Sequence, residues 1–301
     1  MIQRAFFILT LIFFQGLIAI GQTDTTDLLS ILGDDDPIIY STATFKSTRV
    51  INGQSIDNVA GGVMDFRVSH RFGTFNTGIH KLFGLDLASM RLGFEYGVTD
   101  RVMIGIGRSN VNEEVDAFTK IKLLRQVETG PKHMPISLSY FGSTVMRGTA
   151  WADPSRDNFF TSRLYFCNQL LIARKMNDQL SLQISPTHIH RNLVETSAIA
   201  HDVLAIGYGG RYKLTRRLAV NAEYFSLITK NIGAQVNNSL SLGVDLETGG
   251  HVFQLHLTNS SSMNEKGFIS ETTGNWNKGD IQFGFNISRV FTIKQPKGFE
   301  E

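Results

Sequence analysis

DIQFGFNISRVF, residues 280–291, is the stretch near the end of the chain that decides the fold. Apolar side chains occupy every second position from Ile281 to Ile287, and polar or small side chains lie between them. Successive side chains of a β-strand point to opposite faces, so the stretch predicts a strand with one apolar and one polar face. A soluble two-sheet sandwich and a transmembrane barrel with a wet interior both use such strands.

The same period of two recurs along the chain from residue 62 onward. The alternating segments are about ten residues long, the length of a tilted membrane strand, and Gly, Asn and Asp clusters separate them. The pattern favours a membrane barrel over a secreted sandwich, because aromatic side chains recur on the apolar face where an interfacial girdle needs them. These side chains are Tyr96, Tyr140, Phe166, Tyr212, Tyr224, Phe253 and Phe291.

Counting strands over residues 62–291 predicts an all-β, antiparallel up-and-down transmembrane β-barrel of about twelve strands. Short connections alternate with long ones, the asymmetry expected of periplasmic turns and outer loops. Residues 40–50 also alternate weakly, but a thirteenth strand would break the even count. We therefore interpret residues 22–61 as an N-terminal tail and pre-barrel segment, and place residues 40–50 in the lumen or the periplasm. A missed partner strand around residues 267–273 would instead give fourteen strands.

The first 21 residues have the form of a secretory signal peptide, with Arg4 ahead of an apolar stretch and small residues at Ala19 and Gly21. The apolar stretch is shorter than the ~20 residues of a spanning helix, which argues against an N-terminal anchor. The acidic residues 22–37 are interpreted as a loose tail rather than a lumen-inserted segment. Residues 292–301 form a C-terminal tail to which we assign no role.

Composition limits the possible functions. The formal net charge is +2, from 29 Lys and Arg against 27 Asp and Glu, which gives no reason to expect nucleic acid. The single cysteine, Cys167, excludes an intrachain disulfide framework and a cysteine-based zinc site. No cofactor is indicated.

Charged side chains fall on the polar face of the predicted strands and should point into the lumen. One hypothesis is a selectivity surface for an anionic or polar solute, and the other is a salt-bridged network that fills a narrow barrel. Mixed signs favour filling, and recurrent glycines on the same face favour open space, so both hypotheses stand. The candidates are Arg67, Arg71, Arg91, Glu95, Lys120, Lys122, Arg163, Glu223 and Asp245.

Two histidine patterns could in principle support chemistry. His188 and His190 share a strand face that we interpret as outward, but no third metal ligand is evident, so we interpret them as interfacial imidazoles. Ser69 and His70 are neighbours in sequence and point to opposite faces, and no Gly-x-Ser-x-Gly element occurs. We predict no metal site, no catalytic residues and no enzymatic activity.

Several runs resemble an uncharacterised outer-membrane β-barrel family of Bacteroidota. They are ATFKSTR at 43–49, SHRFG at 69–73, FGLD at 83–86, KLLRQ at 122–126, WADP at 151–154, ETGGHVFQLH at 247–256 and GFNISRVF at 284–291. The resemblance extends over residues 27–292 and implies a signal peptide, an outer-membrane location and a barrel. It implies no activity, substrate or catalytic residue.

These observations predict a narrow pore or passive conduit for a small polar solute. The alternative is a closed structural barrel whose loops or N-terminus dock a periplasmic or surface partner protein, such as an electron carrier or a secretion component. Expected partners are outer-membrane lipid and the barrel-assembly machinery. Phe291, at the end of the closing strand, resembles the terminal signal that this machinery recognises, although further residues follow it.

Overall fold

The computed structural model describes residues 38–130, 133–151, 153–233 and 235–295. The predicted signal peptide at residues 1–21, the acidic tail at residues 22–37 and the end of the C-terminal tail lie outside these ranges. Within them, no helix is both long and apolar enough to cross a membrane.

Twelve antiparallel strands form one closed barrel, which confirms the predicted architecture and strand number. The last barrel strand pairs with the first, placing Ile287 opposite Val68 and Asn286 opposite Ser69. Closure gives every barrel strand a neighbour on both sides. A membrane-spanning sheet needs this, because its backbone N–H and C=O groups cannot form hydrogen bonds to water inside the bilayer. The barrel strands are β2 (Val63–Thr74), β3 (Ala88–Gly97), β4 (Val102–Ser109), β5 (Val115–Leu124), β7 (Ser137–Met146), β8 (Leu164–Lys175), β9 (Leu180–Arg191), β10 (Asp202–Lys213), β11 (Leu218–Leu227), β12 (Ser239–Thr248), β13 (His251–Thr258) and β14 (Gln282–Thr292).

The two faces of the strands differ as the alternation predicts. In β14, Asn286 and Ser288 are buried, whereas Phe283, Phe285 and Ile287 are partly exposed on the other face. Elsewhere the barrel leaves many large apolar side chains exposed, among them Phe94 and Ile106 at about half of their surface. Such a surface is typical of a barrel whose outer face meets hydrocarbon.

The connections fall into a short set and a long set at opposite ends of the barrel. The short turns join β3 to β4, β8 to β9, β10 to β11 and β12 to β13. The connection from β5 to β7 lies at the same end and carries β6 (Val127–Thr129). β6 pairs with β1 (Ile39–Tyr40) in a separate two-stranded sheet, which holds the chain ahead of the barrel at the short-turn end.

The chain then enters the lumen before it starts the barrel. Residues 47–56, here called the lumen hairpin, are all buried. The hairpin is closed by a bridge between Arg49 and Gln54 and by hydrogen bonds from Val50 N to Gly53 O at 2.8 Å and from Ser55 N to Thr48 O at 2.9 Å. Of the pre-barrel segment predicted for residues 40–50, the part from residue 47 onward therefore lies in the lumen, and none of it adds a strand to the barrel.

A second segment enters the lumen from the long-loop end. Residues 259–273, here called the inner loop, contain the α-helix Glu265–Ser270, whose six residues are all buried. The Asn264 side chain caps this helix by accepting a hydrogen bond from Gly267 N at 2.9 Å. The possible extra strand around residues 267–273 is therefore wrong, because a capped helical turn occupies that stretch.

Over the part of the chain that the structure describes, other helical structure is limited to short 3₁₀ turns in the long connections. The helix allowed around residues 78–87 takes the form of two such turns, Phe75–Thr77 and Ile79–Gly84. The remaining described 3₁₀ turns are Val111–Glu113, Phe160–Arg163 and Trp276–Lys278.

Candidate functional site

Glu223, on β11, holds the tip of the lumen hairpin. Its carboxylate accepts hydrogen bonds from three consecutive backbone N–H groups, those of Ile51 at 3.2 Å, Asn52 at 3.2 Å and Gly53 at 2.8 Å. A side chain at position 53 would not fit, because a Cβ there would lie 2.9 Å from the ring of Phe225. The barrel strands, here called the wall, therefore bind the main chain of the hairpin tip. Glycine at position 53 lets that main chain approach Glu223 and Phe225 closely.

Lys120, on β5, holds the two arms of the hairpin. Its ammonium group donates to the backbone carbonyls of Thr48 at 3.2 Å, Ser55 at 2.9 Å and Asp57 at 2.6 Å. Lys120 is fully buried. A buried ammonium group loses its hydrogen bonds to water, and these carbonyls take the place of that water as acceptors.

Uncharged side chains of the wall complete the contacts with the hairpin main chain. Gln183 donates to the carbonyl of Gln54 at 2.7 Å, and Gln254 donates to the carbonyl of Val50 at 2.6 Å. Asn286 donates to the carbonyl of Ile51 at 3.0 Å. The closing strand β14 thus helps to seat the hairpin as well as to close the sheet.

Arg49 joins the lumen hairpin to the inner loop. Its guanidinium group lies 2.9 Å from the carboxylate of Glu265 and 3.6 Å from that of Glu95 on β3. Gln54 also donates to Glu265, at 3.2 Å. All three charged side chains are buried, so the segments that enter from opposite ends meet in an ion-pair network shielded from solvent.

The inner loop is held to the wall by its own side chains. The ammonium group of Lys266 lies 2.7 Å from the carboxylates of both Glu114 and Glu271. Asn264 donates to Glu114 at 2.6 Å. Lys266 and Glu114 are fully buried, so this contact also excludes water.

The structure places most of the predicted lumen residues in the lumen, as buried side chains. Arg71 donates to the Asn52 side chain at 2.6 Å, and Arg67 donates to Ser47 at 2.7 Å and pairs with Asp65 at 3.0 Å. The complete set of buried candidates is Arg67, Arg71, Arg91, Glu95, Lys120, Glu223 and Asp245. Arg91 forms a two-point pair with Asp116 on the wall, and Asp245 accepts from Gln254 at 2.7 Å.

The other two candidates, Lys122 and Arg163, are only partly buried. Lys122 lies at the short-turn end of β5, where it lines a cavity of about 210 Å³ together with Asp57 and Arg125. Arg163 lies one residue ahead of β8, at the end of the 3₁₀ turn Phe160–Arg163. Its guanidinium group donates to the carbonyl of Arg147 at 2.9 Å and stacks over Trp151, with 4.0 Å to the ring centre.

The lumen hairpin and the inner loop escaped the sequence prediction as functional elements, although each carries a local signal. Asn52-Gly53 is a dipeptide typical of tight hairpin turns. Asn264 followed by Glu265 has the form of a helix N-cap with an acidic first turn. Neither signal states that the element lies inside the barrel.

On the outer face, Asp202 bridges His188 and His190, at 2.9 Å and 2.8 Å from their ring nitrogens. The described residues contain no group of three or more His, Cys, Asp or Glu arranged to hold a metal ion. His70 stacks on Phe285, whereas Ser69 is buried on the lumen face, so these two point apart as expected.

The other outward features are polar contacts within the strands. Tyr140 donates to Asn168, a polar residue on the otherwise apolar face of β8. Phe291 lies under the guanidinium group of Arg289, with 5.0 Å to the ring centre. The role of Phe291 in assembly stays a prediction.

Comparison with known proteins agrees with this architecture. The chain matches the family model described as a membrane-bound beta barrel domain (DUF5777) over residues 45–291. This range includes the lumen hairpin as well as the barrel strands. No curated protein matches the chain.

The chain is also similar, at low identity, to several solved structures. The KdgM porin is 8% identical, with 76% of this chain and 99% of that chain covered and a TM-score of 0.47. The NanC porin is 9% identical, with 77% and 100% covered and a TM-score of 0.47. An outer membrane channel from Pseudomonas putida F1 is 12% identical, with 77% and 96% covered and a TM-score of 0.43. The similarity concerns the fold, and the activities of these proteins are not transferred to this chain.

Proposed function

The chain belongs to the family of membrane-bound β-barrel domains, and on that premise we propose that it is an outer-membrane conduit for small polar solutes that its lumen hairpin keeps closed. The proposal places the short turns in the periplasm and the long loops outside the cell. It includes no catalytic step and no cofactor. Bacteroidota as the source stays a prediction from the resemblance.

One observation carries the proposal. The buried wall charges Glu223 and Lys120 each bind several backbone groups of one short segment that is not part of the barrel. Backbone N–H and C=O groups can be replaced by water, which offers the same donors and acceptors. Withdrawal of the hairpin would therefore leave a hydrated polar lumen rather than a collapsed one.

The open lumen would carry both signs of charge. Without the hairpin, Arg71 and Lys120 would face Glu95, Glu223 and Asp245 across the lumen. Arg67 and Arg91 would stay paired with Asp65 and Asp116. Because neither sign dominates, we expect weak discrimination between small anions and cations.

The ion pair between Arg49 and Glu265 favours a second function, that of a closed structural barrel which docks a partner protein. It ties the hairpin to the inner loop, so both ends of the lumen are closed by contacts that support each other. A permanently closed barrel could then present its outer loops, or the chain ahead of β1, to a partner protein.

Conductance in planar lipid bilayers separates these two functions. We expect the wild-type protein to give no steady current, and the double variant E223A/K120A to give discrete current steps, because the hairpin has lost both of its charged anchors. The matched control is R91A/D116A, which also removes one lumen cation and one lumen anion. Among the described residues, that pair makes no hydrogen bond to the hairpin or the inner loop. A silent E223A/K120A variant would reject the conduit and leave the docking barrel, and a steady wild-type current would reject closure by the hairpin.

A further inference from the structure

A cavity of about 360 Å³ lies at the long-loop end of the barrel, apart from the hairpin. Its wall is built from several long connections and from the end of the inner loop. The residues that matter here are Arg147, Tyr165, Arg191, Ile199, Val236 and Glu271. Cavities of a few hundred cubic ångströms, lined by apolar groups and a few fixed polar ones, are the usual form of small-molecule sites.

Arg191 is the unusual member of this wall. The residue is only 7% exposed, and its guanidinium group donates to the backbone carbonyls of Ile232, at 2.9 Å, and Ala200. Its Nε atom is buried and has no hydrogen-bond partner among the described residues. Within the same residues it forms no ion pair, although buried charges in proteins are normally paired.

Glu271 and Glu195 lie near Arg191, but neither carboxylate forms an ion pair with it among the described residues. Glu271 is already shared between Arg147 at 2.8 Å and Lys266 at 2.7 Å. Glu195 also lines the cavity, but it is an exposed residue whose charge is largely screened by water. The cavity therefore combines a buried cation without a counter-ion and apolar side chains.

We propose that this cavity binds a small organic carboxylate with an apolar body. The carboxylate would pair with Arg191, since guanidinium and carboxylate groups make strong charge-assisted hydrogen bonds. The apolar body would pack against Leu193, Ile199 and Val236, which line the same space. The site is independent of the proposed conduit, because it requires neither withdrawal of the hairpin nor a current.

Two probes of equal size and different charge test the proposal: 3-phenylpropionate and its neutral amide, 3-phenylpropanamide. Each is titrated into the full-length refolded protein at low ionic strength, and binding is measured by isothermal calorimetry. We expect saturable binding of the carboxylate, and at least about tenfold weaker binding of the amide, because only the anion neutralises Arg191. Equal binding of both probes, or binding of neither, overturns the proposal.

Variants locate the site. R191Q should weaken carboxylate binding by about tenfold or more, and R191K should retain more binding than R191Q, because the ammonium group keeps the charge but not the planar two-point geometry. The matched control is R163Q, since Arg163 also donates to backbone carbonyls between the long loops but lies against Trp151, outside the cavity wall. Unchanged binding in R191Q, or an equal loss in R163Q, contradicts the assignment. Heat-modifiable migration on gels shows whether each variant still forms the barrel, and the comparison of the two probes on the wild-type protein stands without any variant.

Discussion

The two segments that fill the lumen are held in different ways. The wall binds the lumen hairpin largely through its main chain, with Glu223 on its N–H groups and Lys120 on its carbonyls. The inner loop is bound through its side chains, above all by the pair of Lys266 with Glu114, the residue ahead of β5. Main-chain contacts can be exchanged for water or for another segment, whereas a buried ion pair leaves a bare charge when one partner is lost. Arg49 is the exception in the hairpin, since its buried pairs with Glu265 and Glu95 must break before the hairpin can leave. Because its other main-chain contacts can be exchanged for water, the hairpin is still better suited to leave the lumen than the inner loop.

The largest effect should come from the side-chain contact of the inner loop. K266M leaves the carboxylate of Glu114 buried without its cation, and loss of one partner of a buried pair typically costs about 3–5 kcal/mol. We expect a decrease of that size in the free energy of unfolding, measured with urea in lipid vesicles by the fluorescence of the two tryptophans.

The matched control for this prediction is K46M. Lys46 pairs with Glu247 at 2.7 Å, but about a third of each side chain is exposed, and such pairs contribute about 0–1 kcal/mol. Equal effects of K46M and K266M would show that the inner loop is not held by its buried pair.

A smaller effect should come from the main-chain contact of the hairpin. In G53A the new methyl group would lie 2.9 Å from the ring of Phe225, and overpacking of this kind costs about 1–3 kcal/mol. We expect the strain to be released by displacement of the hairpin, seen as faster proteolysis within residues 47–56 while the barrel strands stay protected.

Gly250 provides the control for the glycine substitution. It lies in the short turn between β12 and β13, where a Cβ would meet nothing within 4 Å. G250A should therefore leave the rate of cleavage in the hairpin unchanged. Cleavage that is equally slow in G53A and the wild type would mean that the hairpin tip tolerates a side chain.

The barrel followed from the sequence because one property repeats on every strand. A period of two fixes which side chains of β14 face the lumen, and the same rule placed Glu223 and Lys120 there. Strand ends are less well defined by this pattern, and Arg163 shows the consequence: it lies one residue ahead of β8 and turns to Trp151.

The hydrogen-bond partners of the charged lumen side chains could not be predicted from this period of two. Glu223 binds residues that precede it by 170 to 172 positions, and no local pattern encodes a contact of that separation. The Asn52-Gly53 turn signal could have indicated a hairpin ahead of the barrel. The location of that hairpin inside the lumen depends on three-dimensional packing, as does the inward path of the inner loop.

The central claim is that the hairpin closes the conduit and that its movement opens it. A reversible cross-link tests this, because Val50 Cγ2 lies 3.2 Å from the position of a Cβ at Gly209 on β10. Val50 Cγ2 marks a position that the sulfur of a cysteine at residue 50 could take, and in a disulfide that sulfur lies close to the Cβ of its partner, so V50C/G209C should cross-link the seated hairpin to the wall. The native thiol of Cys167 is removed by C167A so that it cannot compete.

The decisive measurement is the bilayer current of E223A/K120A carrying V50C, G209C and C167A, recorded before and after reduction. We predict no current while the disulfide is formed, and current steps equal to those of E223A/K120A once a reductant has opened it. A current that is the same in the oxidised and reduced states, with the disulfide verified by mass spectrometry, would contradict the claim that this hairpin closes the lumen.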